Sequence, residues 1–100
     1  MPPIRKVLHM ARITKEGLEA CMAFGMASLA VADAVELVRD QLLDGPTGDL
    51  FAELEVAHHR LRDLFDLGED TAVHALALSV LVLVDRTTDA IREDRNRPDE

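Results

Sequence analysis

Residues 50–67 read LFAELEVAHHRLRDLFDL, and this stretch decides the fold class. Leu50, Leu54, Ala57, Leu61 and Leu64 recur at steps of three and four, with Phe51, His58 and Phe65 beside them. Glu53, Glu55, His59, Arg60, Arg62 and Asp63 lie mostly on the other side. A stripe of that period buries one side of a helix and leaves the other wet. No segment of the chain alternates apolar and polar residues over strand length, so no sheet competes with this reading.

The boundaries of the middle helix punctuate the rest of the chain. Upstream, Gly45 can take a left-handed cap and Pro46 cannot continue a helix, so a first helix is expected to stop near Leu43. Thr47 and Gly48 complete the turn, and Asp49 caps the middle helix. The first helix begins after Thr14, a plausible N-cap, with Glu16 well placed in its first turn. Downstream, Gly68 ends the middle helix, and Asp70 or Thr71 caps a third helix reaching about Glu93. The expected architecture is all-α: a three-helix up-down-up bundle of two long helices and one shorter amphipathic helix between them. Residues 14–94 form its single domain. Residues 1–13 form a short basic N-terminal arm, in which Ile4, Val7, Leu8 and Ala11 share a helical face, and residues 95–100 form a disordered tail containing Pro98.

Composition agrees with one helical core. The chain has 100 residues, 48% hydrophobic and 30% charged, with three aromatic residues, all Phe. Its formal charge is −8, unevenly spread. Residues 1–15 hold Arg5, Lys6, Arg12 and Lys15 and no acid, which leaves seven bases against all nineteen acids in the remainder. An acidic body with no stacking platform disfavours nucleic acid as a partner. The single cysteine, Cys21, excludes an intrachain disulfide and is expected to be a small buried hydrophobe in a reducing, cytoplasmic setting. The segment Ala30-Val31-Ala32 fits a small-x-small cleavage signature, but Glu16 and Glu19 stand where a signal peptide stays free of acids. The uncharged runs 20–32 and 71–84 are both shorter than the ~20 residues of a span, so no membrane partner is expected.

Those two runs carry a functional expectation. Each is apolar around the whole helix, whereas a helix in a three-helix bundle needs only one apolar stripe. Large exposed apolar patches are rare on monomers, and the simplest cover is a second copy of the chain; the alternative is that the basic arm folds back over the patch with Ile4, Val7 and Leu8 as its lid. The expected interface contains Phe24, Leu29 and Val31 of the first helix with Leu78, Leu81 and Val84 of the third.

Catalytic signatures are sparse. Glu55-Val56-Ala57-His58-His59 contains a Glu-x-x-His pair whose spacing resembles the ligand sets of di-iron carboxylate bundles. Such sites need two pairs and further inward carboxylates. Here Asp33 and Glu36 are the candidate additions, and His58 falls on the apolar stripe while Glu55 falls toward the polar side. The acid pairs Asp33 with Glu36 and Asp85 with Asp89 lack the denser Glu-Glu-x-x-Glu run of helical nucleotide pyrophosphohydrolases. Gly45-Pro46-Thr47-Gly48 follows a helix and lacks the Lys of a phosphate loop. No cofactor is implied. The expected function is therefore a non-enzymatic protein–protein interaction or regulatory module acting as a homo-oligomer. The alternative is a metal-dependent helical-bundle enzyme using Glu55, His58 and His59 with Asp33 and Glu36. The third reading is a small apolar ligand binder with a pocket between the first and third helices.

Overall fold

The computed structural model of the chain describes residues 14–39 and 43–96. Three helices fill nearly all of this length: α1 (Lys15–Val38), α2 (Gly45–Leu67) and α3 (Asp70–Asn96). They pack against one another, and no strand occurs among the described residues. The all-α reading holds. The basic arm, 1–13, and the tail residues 97–100 lie outside the described residues, while Arg95 and Asn96 belong to α3.

Two helix boundaries follow directly from local chemistry. Thr14 is extended at φ −67° and ψ 159°, and its hydroxyl accepts the Gly17 N–H at 2.9 Å, satisfying one of the orphan donors at the start of α1. At the end of α2, Gly68 sits at φ 77°; its N–H reaches the Phe65 carbonyl at 3.1 Å, and the Glu69 N–H reaches the Leu64 carbonyl at 3.2 Å. That pair of bonds is a Schellman motif, which needs the left-handed residue that glycine supplies at least cost. Helix α3 then starts at once. Its first residue is Asp70, and the Glu69 carbonyl accepts from the Val73 N–H at 2.8 Å, so the cap position falls at Glu69, one residue before Asp70 and two before Thr71.

The junction of α1 and α2 differs from expectation. Helix α1 is capped at Arg39, short of Leu43, and α2 begins at Gly45 with Pro46 in its first turn. A proline is tolerated there because its missing N–H would have had no partner. The left-handed Gly45, at φ 67°, opens α2, so Asp44 takes the cap position and Asp49 is an internal residue of α2. The middle helix consequently has 23 residues, nearly matching the 24 of α1.

The core is built on α3. It packs against both α1 and α2, whereas α1 and α2 touch one another much less. Val73, Ala77, Val80, Val84, Thr87 and Ile91 form its buried seam, at alternating steps of four and three. Thr87 is enclosed without penalty because its hydroxyl donates to the Leu83 carbonyl at 2.7 Å. Leu54 and Leu61 are the fully buried leucines of α2. The buried seam of α1 is Gly17, Ala20, Ala23, Ala27, Val31, Ala34 and Val38. Side chains this small let two helix backbones approach closely, and close approach brings many weak dispersion contacts.

Candidate functional site

Helix α1 carries the most unusual surface of the molecule. At about 100° per residue, Leu18, Met22, Gly25, Leu29 and Ala32 form a second seam centred roughly 180° from the buried one. Leu18 is 54% exposed, Met22 61% and Leu29 70%, and Met26 beside them is 59% exposed. The helix has thus turned an alanine-rich side inward and set Leu18, Met22, Met26 and Leu29 outward. Cys21 is exposed on this outer side rather than buried, because an alanine seam, and not the centre of the apolar run, turned out to face α3. A Cβ added at Gly25 would meet nothing within 4 Å, so the packing of the described residues gives no reason for a glycine there.

The six residues expected at an interface divide between interior and surface. Val31 and Val84 are taken up by the protomer's own core. Leu29 and Leu78 are exposed, and Phe24 and Leu81 are half-buried. Phe24 stacks on Phe65 of α2 with ring centroids 4.3 Å apart, a contact worth about 1 kcal/mol beyond area burial. On α3 the outward apolar patch is shorter than on α1. It comprises Ala75, Leu78 and Val82, and it gives way to Asp85 and Asp89 one and two turns later.

Met22 and Met26 belong to the apolar run 20–32 from which an interface was expected, whereas Leu18 lies before it. A signal for them existed: alanines at 20, 23, 27 and 34 share one face, and the bulkier residues share the opposite one.

The proposed metal ligands do not assemble. Among the described residues, no group of three or more His, Cys, Asp or Glu side chains is close enough to hold a metal ion. His58 is half-buried beside the core, Glu55 and His59 are exposed on α2, and Asp33 and Glu36 are exposed on α1. The His58 and His59 rings lie 6.2 Å apart. Burial lowers the His58 pKa from its ordinary value, and the nearby charge of Arg62 and then of His59 lowers it further. Glu36 instead pairs with Arg39 at 3.3 Å, one turn along α1.

An open groove of about 580 Å³ runs between α2 and α3, floored by Leu64, Ala72, Ala75 and Leu76 and edged by Arg60, Asp63 and Ser79. A second hollow of about 400 Å³ continues it past Arg60 and Leu76 toward Val56. These hollows lie on α2 and α3, whereas the ligand-binding reading placed its pocket between the first and third helices.

Helices α1 and α3 are each long and apolar enough, by length and composition alone, to cross a membrane; each has an 18-residue window with at most two charged residues. The core helix of a soluble bundle has the same property. Comparison with protein-family models, with curated proteins and with solved structures returned no match.

Proposed function

We propose that the protein is a non-enzymatic helical interaction module that acts as a homo-oligomer, joined through the outer face of α1. The observation that carries this reading is the inversion on α1, where Ala20, Ala23 and Ala27 are inside while Leu18, Met22, Met26 and Leu29 are outside. Covering each of those four exposed side chains is worth on the order of 1–2 kcal/mol. Turning α1 over would bury them, but it would push leucine and methionine into a seam shaped for alanine. A second molecule covers them without that cost, and an exposed apolar face of this kind is characteristic of an association surface.

The chain path belongs to the same reading. We place the helices up, down and up. Arg95 near the end of α3 donates to the Leu37 carbonyl near the end of α1, at 3.2 Å, which supports parallel α1 and α3. The Phe24–Phe65 stack joins the first half of α1 to the end of α2, which supports an antiparallel pair. This arrangement leaves the outer side of α1 clear of the other two helices. An exposed free thiol at Cys21 suits a reducing, cytoplasmic setting.

Light scattering on the whole chain at tens of micromolar tests the proposal. The native protein should be a dimer or larger, and Leu29→Glu should be a folded monomer, since a buried unpaired charge is strongly unfavourable at an interface. Glu53→Lys, on the wet side of α2, should leave assembly intact. A native chain that stays monomeric refutes the proposal.

The membrane-compatible length of α1 and α3 favours a second reading, in which these two helices insert. Their uncharged runs, 20–32 and 71–84, rise only about 20 Å against a hydrocarbon core of about 30 Å, which makes it the weaker of the two. Flotation of the protein with phospholipid vesicles would favour insertion over self-association.

A further inference from the structure

Resting on that reading of α1 as a self-association face, we infer that the second copy packs antiparallel, with the two α1 helices crossing near Gly25. The argument is one of charge and shape along the outer seam. Lys15 stands at its N-terminal end, and Asp33 and Glu36 stand at its C-terminal end, all three exposed. Lys15 makes no ion pair among the described residues, and Glu36 has only its neighbour Arg39. Lys15 and Glu36 are equidistant from the point midway between Gly25 and Met26, and so are Met22 and Leu29.

An antiparallel pair centred on that point sets Lys15 against the partner's Glu36, with the partner's Asp33 one turn away, and it does so twice by symmetry. The same register lays Met22 on the partner's Leu29 and Leu18 near the partner's Ala32. A parallel pair would instead set Lys15 on the partner's Lys15 and Glu36 on the partner's Glu36, which repel. Antiparallel helices also bring opposite dipole ends together. Gly25 falls at the crossing, where an added Cβ would meet nothing within 4 Å among the described residues. A glycine inside a helix costs about 0.5–1 kcal/mol relative to alanine, and close passage of a partner backbone gives that cost a purpose.

Reversal of charge tests the orientation in the full chain by sedimentation equilibrium at low salt. Lys15→Glu and Glu36→Lys each place a charge that suits the dipole of α1, acid at its start and base at its end, so neither endangers the fold. Each single variant should weaken the dimer roughly tenfold by turning two attractions into repulsions, and the double variant should recover to within about twofold of native. Single variants that dimerise like the native chain, or a double variant no better than the singles, would overturn the antiparallel arrangement while leaving the α1 face in place. A native chain that never dimerises would remove the face itself, and this inference with it.

Discussion

Leu61 offers the most direct test of how α2 is held. It is fully buried, as is Leu54 seven residues earlier, and these two are the fully enclosed apolar side chains of α2. Because α2 touches α1 so little, its attachment depends on what it buries against α3. Leu61→Ala removes three carbons, worth about 2.4 kcal/mol at roughly 0.8 kcal/mol each, and the cavity left behind adds to this. We expect a loss of about 3–4 kcal/mol, a large share of the roughly 5–15 kcal/mol typical of a domain. With a urea slope near 1.5 kcal/mol per molar, the midpoint should fall by about 2 M. The assay is urea unfolding followed by far-UV circular dichroism, at one protein concentration for all variants so that association contributes equally. Val56→Ala, on an exposed position of the same helix, should shift the midpoint by less than about 0.5 kcal/mol in equivalent terms. A Leu61→Ala cost below about 1 kcal/mol would show that α2 does not dock through this face.

Three further outcomes follow from local geometry. Gly68→Ala, which forces a side chain into the left-handed cap at φ 77°, should lower thermal stability by about 1–2 kcal/mol, read as a drop in melting temperature. Gly48→Ala should also destabilise, against helix propensity, because a Cβ there would lie 2.7 Å from the Leu43 carbonyl oxygen; equal or higher stability in urea would show that the junction can relax. For His58, the folded state holds the pKa below its ordinary 6.5, so the native state binds fewer protons than the unfolded chain. Its stabilising contribution is therefore present above pH 6.5 and lost as the pH falls through that range. His58→Gln should flatten this part of the stability profile between pH 7.5 and 5.5, and an unchanged slope would exclude His58 as its source.

The legible parts of the structure are those where one residue type answers one local demand. Thr14 caps α1 because its hydroxyl can reach an orphan N–H, and Gly68 ends α2 because the closing turn needs positive φ. The stripe of residues 50–67 marked Leu54 and Leu61 for the core, since α2 has one apolar side and one charged side. Gly45 and Pro46 were ambiguous for a physical reason. A left-handed glycine followed by proline can close one helix or open the next, because proline fits equally after a helix and in its first turn. The candidate metal set is legible only as spacing along α2, which sets Glu55 near His58 and His59 in sequence; a site also needs ligands from another helix, and among the described residues of one chain no three such side chains come together.

The sequence by itself determined that the chain is helical, where two of its helix boundaries fall and which side of α2 turns inward. Each of these depends on interactions between residues only a few positions apart. Polarity did not determine which side of α1 faces the core, because residues 20–32 are apolar all round; the two sides differ in side-chain size, and size alone does not say which side a neighbour accepts. The tertiary structure decided that through packing. The seam of α3 accepts the side of α1 lined by Ala20, Ala23, Ala27 and Ala34, where the two backbones can come close. Leu18, Met22, Met26 and Leu29 are left outside because those same residues, turned inward, would hold the helices apart.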